Sequence, residues 1–310
     1  MLGRIIEASV RNRFLVLLAT VFLMGWGAYS LLNTPVDAIP DLSDVQVIIY
    51  TEYSGQSPRT VEDQVTYPLT TALVSVPRSK VVRGYSFFGY SLVYVIFEDG
   101  TDLYWARSRV LEYLNYAQKR LPRDIVPALG PDATGVGWVF EYTVTSQKRT
   151  QAELRSLLDC FLRYQLASVP GVAEVASIGG LVKQYQVTVD PDRLLAFNLP
   201  LSDVEMAIRQ SNNDVGGEVI EFSEKEFMVR GLGYIRSVED VQAIAVGVDP
   251  RTGTPVHVRD VANVTLGPLM RRGLTESNGE GEVVTGIVVM RYGENALKVI
   301  DGVKAKLAEL

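Results

Sequence analysis

The chain has 310 residues, 47% of them hydrophobic and 21% charged, with a formal net charge of −6 at pH 7. It carries no basic block or Lys/Arg-rich face, which excludes the counterion-releasing surface that nucleic-acid binding needs. Its single cysteine, Cys160, excludes an intrachain disulfide.

The first predicted element is Phe14 to Leu32, nineteen consecutive residues without a charge. At about 1.5 Å rise per residue a helix there reaches about 28 Å, close to the roughly 30 Å hydrocarbon thickness of a bilayer. The run exceeds the roughly 7 to 15 residues of a signal-peptide core, and no A-x-A-like site follows it. A buried soluble helix would rarely be apolar on every face. The run therefore reads as a retained membrane-spanning helix. Arg4, Arg11 and Arg13 precede it against Glu7, whereas Asp37, Asp41 and Asp44 follow it, with no Lys or Arg before Arg59. By the positive-inside rule the N-terminus is cytoplasmic, and the chain from about Asn33 onward lies outside. The three aspartates read as an exposed acidic loop.

Beyond the anchor, about 275 residues suffice for two or three domains with their own cores. Val45 to Tyr53 reads as a strand. Ser57 and Pro58 form an N-cap and first helical residue, followed by Val61, Val65, Leu69 and Leu73 on one face, with Pro68 bending the helix. Strands follow near Val81 to Phe88 and Ser91 to Phe97. Gly100-Thr101-Asp102 then opens a helix carrying Leu103, Ala106, Val110 and Leu114. Strand, helix, hairpin, helix is the order of a ferredoxin-like, split βαβ unit.

The pattern then restarts. Trp138 to Val144 is strand-like, Thr150 to Glu153 is a capping box, and Leu154, Leu157, Leu158, Phe161 and Leu162 form a helix stripe that places Cys160 in the core. Val172 to Ile178 is a strand ended by Gly179-Gly180. About 90 residues of different character interrupt the repeat. They include the alternation Tyr185/Val187/Val189, a helix near Leu201 to Ser211, a Gly-rich stretch Asn212 to Glu218 and a helix after Ser237. A strand around Val256 to Leu266 closes this insertion. The repeat resumes with the strand Val283 to Arg291 and the helix Asn295 to Leu310, whose stripe is Ile300, Val303, Leu307 and Leu310. A βαββα series needs one more strand, so the sequence reads as part of a longer protein.

Several long motifs occur in order: Pro35 to Asp41 after the apolar helix, Gln64-Val65-Thr66-Tyr67-Pro68-Leu69, Phe97 to Asp102, and Leu129 to Gly135. Together they resemble the N-terminal part of a heavy-metal efflux pump of the resistance-nodulation-division class. Gly137 to Tyr142 and the run Trp105 to Leu114 look most like the copper/silver branch of that class. The resemblance implies an α+β fold, with one N-terminal transmembrane helix followed by ferredoxin-like βαββαβ porter subdomains and an inserted α+β docking subdomain. It divides the chain into a cytoplasmic stub and transmembrane helix (1–32), a first porter subdomain (45–134), an incomplete second one (135–180 and 274–310) and the docking subdomain (181–273). It further implies a homotrimer in the bacterial inner membrane, joined to a periplasmic adaptor and an outer-membrane channel and driven by proton import. Residues 34–310 would then be periplasmic. The stretch Asn212 to Glu218 matches the start of a docking loop that reaches into the neighbouring protomer.

Copper(I) and silver(I) are soft ions suited to thioether sulfur, which directs attention to the methionines. Met24 reads as anchor filler, Met206 and Met290 as core, and Met228 as packed. Met270 stands apart: it follows Pro268 and sits beside Arg271 and Arg272, where the resemblance implies a relay methionine. His257 is the only histidine and cannot build a metal site alone. No CxxC, nucleophile–base pair, phosphate loop or paired-carboxylate motif is present, so the sequence indicates no enzyme and no cofactor. The other readings are export of divalent zinc, cobalt or cadmium, and a single-pass periplasmic interaction protein that does not transport.

Overall fold

The computed structural model describes residues 2–34, 43–223, 225–271 and 273–310. The motif at 35–41, with Asp37 and Asp41, and Arg272 lie outside the described residues. Two helices open the chain, α1 (Leu2–Arg11) and α2 (Arg13–Asn33). They are separated at Asn12, whose φ/ψ of −109°/37° is outside the helical well. Among the described residues, α2 is the one helix long and apolar enough to cross a membrane, over Arg13–Leu32.

A four-stranded sheet follows. After β1 (Gln46–Glu52), the short helix α3 (Pro58–Val61) starts as the sequence predicts, with the Ser57 hydroxyl accepting from the Thr60 N–H at 3.2 Å. The helix continues through a π turn (Glu62–Thr66) into α4 (Tyr67–Leu73). The irregularity expected at Pro68 thus falls one turn earlier, where the Tyr67 N–H bonds the Glu62 carbonyl five residues back. The hairpin β2 (Ser79–Phe87) and β3 (Tyr90–Phe97), the helix α5 (Leu103–Ala117) and the short β4 (Ala128–Leu129) complete a βαββαβ series with strand order β2-β3-β1-β4. Alternation along β1 and β3 sends Val47, Ile49, Val93, Val95 and Phe97 into the core, against Val61, Val65, Leu69 and Leu73 and against Ala106, Val110 and Leu114 of α5. Truncating one of these leucines to alanine costs about 2–5 kcal/mol. The helix can approach the sheet only because Gly84 faces it: a Cβ there would lie 2.4 Å from the Thr66 methyl. The buried Thr66 hydroxyl is shared with Ser91 and Ser86, at 2.8 Å each.

The second series begins with β5 (Trp138–Val144) and α6 (Gln151–Leu157), whose predicted capping box forms. The Thr150 N–H donates to Glu153 at 2.8 Å, and the Glu153 N–H returns to the Thr150 hydroxyl at 3.3 Å. A second π turn (Leu158–Leu162) then leads into α7 (Arg163–Ala167). This corrects the predicted stripe. The extra residue in a π turn advances the helix face by about 100°, so Leu154, Leu158 and Leu166 are buried while Phe161 is 44% exposed. Cys160, expected in the core, is exposed, since it lies two positions, about 200° round the helix, past the buried Leu158. The strand β6 (Val172–Gly179) ends at Gly179 and Gly180, which take φ of +75° and +65°.

The insertion comprises β7 (Lys183–Val189), α8 (Pro191–Ala196), α9 (Leu201–Ser211), the hairpin β8 (Val215–Phe222) and β9 (Lys225–Gly231), α10 (Val238–Gln242), β10 (Ala245–Val248), β11 (Pro255–His257), α11 (Val258–Val261) and β12 (Ala262–Pro268). The single strand expected at Val256 to Leu266 is therefore two strands split by one helical turn. His257 and Asp260 cap that turn, the His257 N–H donating to the Asp260 carboxylate at 2.8 Å. β12 pairs antiparallel with β7, and Val204, Val241, Val246, Val256, Val258 and Val264 form the core here.

The chain returns through β13 (Val284–Met290) and α12 (Ala296–Glu309), giving a three-stranded sheet of order β5-β13-β6. α12 starts at Asn295, which accepts from the Lys298 N–H at 3.1 Å. It buries Ala296, Val299 and Val303, and Leu310, expected on that stripe, is exposed. One compact unit comprises Met1–Val144, Leu158–Ile178 and Thr285–Leu310, and the other Thr145–Leu157 and Gly179–Val284.

Candidate functional site

Met270 lies two residues past Pro268, the last residue of β12, on a segment fixed at both of its neighbours. The Leu269 N–H donates to the Val182 carbonyl at 2.8 Å, and Arg271 pairs with Glu282 at 2.5 Å. That carboxylate raises the pKa of the Arg271 guanidinium. Between these two anchors the Met270 side chain is 64% exposed, which leaves a soft sulfur donor in solvent on an ordered piece of backbone. Among the described residues no group of three or more His, Cys, Asp or Glu side chains could hold a metal ion.

The other methionines need two corrections. Met206 is exposed, because α9 buries Val204 and a residue two positions on points about 200° away. Met228, expected to be packed, is 88% exposed. Met290 is half-buried against the core of the second series, as the sequence suggests. His257 is occupied as a helix cap, with Nδ1 3.5 Å from Asp260.

Met228 is open because every residue of strands β8 and β9 is exposed. The hairpin's strands bury nothing, and its base is held by polar contacts instead. Asp214 accepts from Arg230 Nε and from the Gly233 N–H, at 2.9 Å each, and Asn212 accepts from the Ile235 N–H at 3.1 Å. The Gly233 N–H, above all, lowers the Asp214 pKa, and Arg230 adds to this. Sequence reasoning placed a Gly-rich stretch here, matched to the start of a docking loop, and did not identify the β8–β9 pairing or its clamp. The signal available was Val215 to Phe222 and Lys225 to Gly231, two runs of strand residues around a short connection.

Several motif residues converge on a second polar junction. Asp132 accepts from the Tyr104 hydroxyl at 3.1 Å and lies 3.6 Å from Arg291, while Arg107 donates to the Gly130 carbonyl at 2.9 Å. Burial, and then Asp132, raise the Tyr104 pKa. Beside this junction opens a cavity of about 320 Å³ lined by Asp44, Gln46, Thr134, Met290, Arg291 and Glu294, among others. Thus the motifs Trp105 to Leu114 and Leu129 to Gly135 serve to join α5, the segment after β4 and the exit from β13.

This architecture is matched in solved structures. It superposes on the crystal structure of a heavy metal efflux pump with a TM-score of 0.85 and 31% sequence identity, covering 99% of this chain and 30% of that one. The fold is therefore that of a segment of a heavy-metal efflux pump. In sequence the chain is 56% identical over 312 residues to the cation efflux system protein CusA of Escherichia coli (strain K12), covering 100% of this chain and 30% of CusA. It is 38% identical over 319 residues to the cobalt-zinc-cadmium resistance protein CzcA of Cupriavidus metallidurans, again covering 100% of this chain and 30% of the relative. Residues 5–310 match the AcrB/AcrD/AcrF family, and the chain belongs to that family. The chain spans 30% of the length of each of these two relatives.

Proposed function

We propose that this chain is the N-terminal part of a proton-driven inner-membrane transporter that exports copper(I) and silver(I) through a tripartite envelope pump. The observation that carries this reading is the difference in identity, 56% to CusA against 38% to CzcA over the whole chain. In this reading α2 is the first membrane helix, with the N-terminus cytoplasmic and residues 34–310 periplasmic. The βαββαβ unit within 45–134 is the first porter subdomain. The β5-β13-β6 sheet and its helices, within 135–180 and 274–310, belong to the second, and 181–273 is the docking subdomain. The exposed β8–β9 hairpin is the docking arm of a homotrimer, and an adaptor and an outer-membrane channel complete the pump. Met270 is a relay ligand for the soft ion, since its thioether is exposed on a fixed segment.

Expression of the complete protein with its adaptor and channel, in a host lacking its own copper and silver exporters, tests this reading. Restored growth on silver and copper, with no gain on zinc or cobalt, is the expected result. Restored tolerance to zinc or cobalt alone would move the protein to the divalent branch.

A further inference from the structure

We infer that α1 is an interfacial helix, lying along the surface of the bilayer that α2 crosses and seated on anionic lipid headgroups. α1 has ten residues, about 15 Å of helix. In the sequence Leu2, Ile5, Ile6 and Val10 follow the i, i+3, i+4, i+8 spacing of one helix face, which Ser9 shares. At about 100° per residue Ile6 and Val10 lie within about 40° of each other, and Glu7 and Arg11 lie about 100° round from them. Ile6 and Val10 are 59% and 71% exposed, so among the described residues nothing covers these two side chains.

Three observations select the occupant. The first is chain continuity, because only Asn12 separates α1 from a helix of membrane-crossing length, which holds the Val10 end of the apolar face within a few ångströms of the start of the span. The second is the break itself. Asn12 leaves the helical well, with φ/ψ of −109°/37°, so the two helices need not share an axis. The third is charge, since Arg4, Arg11 and Arg13 outnumber Glu7 at this end of the span. An apolar arc backed by a charged side with arginines, on a helix about half as long as a span needs, is the pattern of a helix that rests in a headgroup layer. Each arginine near an anionic surface adds about a fivefold preference, and its aliphatic stem can follow the apolar face while its head reaches phosphate. α2, by contrast, is apolar all round, so the anchor and the surface helix divide the work between insertion and lipid choice.

The inference rests on α2 spanning the membrane, and the test separates the two. The full chain carrying Cys160→Ser is reconstituted with spin labels at single sites, Ile6→Cys, Glu7→Cys, Val10→Cys or Val21→Cys. Vesicles are made of phosphatidylcholine, with or without about a third of phosphatidylglycerol. Collisions with oxygen, which favours lipid, and with a water-soluble nickel chelate are then measured. The expected result is oxygen access at positions 6 and 10 and nickel access at position 7, with α1 bound in a larger fraction when phosphatidylglycerol is present. In those vesicles R4Q/R11Q should raise the free-to-bound ratio about fivefold for each arginine removed, and R4K/R11K should restore it. Equal nickel access at positions 6, 7 and 10 would overturn the proposal. So would exclusion of both reagents from positions 6 and 10, which would mean a protein surface covers them, or a bound fraction indifferent to phosphatidylglycerol. Position 21 reports on the anchor alone. Nickel access there would show that the membrane-spanning reading itself had failed, and the proposal with it.

Discussion

Met270, Tyr142 and Asp214 show how differently single residues were visible in advance. The Met270 sulfur is offered to solvent by its neighbours' bonds, so Met270→Ile should slow silver and copper movement without abolishing it, since one thioether holds such an ion weakly. As an exposed apolar swap it should change stability by about 0.5 kcal/mol or less, and membrane levels should match the wild type. Unaltered flux at matched protein amounts would reduce Met270 to surface filler. Tyr142 was invisible as a special residue. Its ring packs where a Cβ on Gly286 would fall 2.2 Å from it, and its buried hydroxyl has no hydrogen-bond partner among the described residues. Burial first, and Asp159 second, push its pKa from 10.0 up to about 12. The native state therefore holds this proton more tightly than the unfolded chain does. The contribution is complete below about pH 10 and is lost as the pH rises through about 12. Tyr142→Phe should remove the unpaired group and raise unfolding stability by about 1 kcal/mol, read by urea titration in detergent. A lower urea midpoint would mean that the hydroxyl is satisfied by water. Asp214 has the opposite sign. Its pKa lies below the ordinary 3.8, so its grip on the hairpin base is present above that value and fades as the pH falls through the depressed one. Asp214→Ala should expose residues 215–231 to proteolysis at neutral pH, and an unchanged digestion rate would deny it the role of clamp.

At the scale of elements, local chemistry predicted starts better than it predicted faces. The Ser57, Thr150 and Ser237 caps and the Asp102 cap of α5 all form where side chain and spacing demand them. Two departures from ideal period upset the predicted faces: in the π turn at Leu158–Leu162 Phe161 points outward, and α11 broke an apolar run that alternation had read as one strand. The first π turn, at Glu62–Thr66, left Val61, Val65, Leu69 and Leu73 in the core as expected. The β8–β9 hairpin was obscured for a further reason: with no buried face, it has no alternation for selection of a core to write into the sequence. Such an arm is poorly stabilised by itself, since an isolated two-stranded hairpin is marginal in water. It should gain its stability from a second protomer. Replacing residues 215–231 with a short Gly-Ser bridge should reduce crosslinked trimer in the complete protein while both compact units keep their protease resistance. Undiminished trimer would leave the hairpin without a docking role.

At the scale of the whole molecule, the repeated strand–helix pattern revealed the α+β architecture, and the order of the long motifs pointed to the efflux-pump class before any fold was available. What sequence periodicity could not supply was ion choice, because under the proposed function that depends on a few soft donors, and a lone methionine such as Met270 leaves no periodic trace. The direct measurement is ion movement by the complete protein in sealed vesicles carrying an imposed proton gradient, with silver, copper(I) and zinc compared at equal protein. The predicted result is proton-dependent movement of silver and copper(I), slowed in Met270→Ile, with zinc at the protein-free background. Proton-driven zinc movement with silver and copper(I) at background would contradict it.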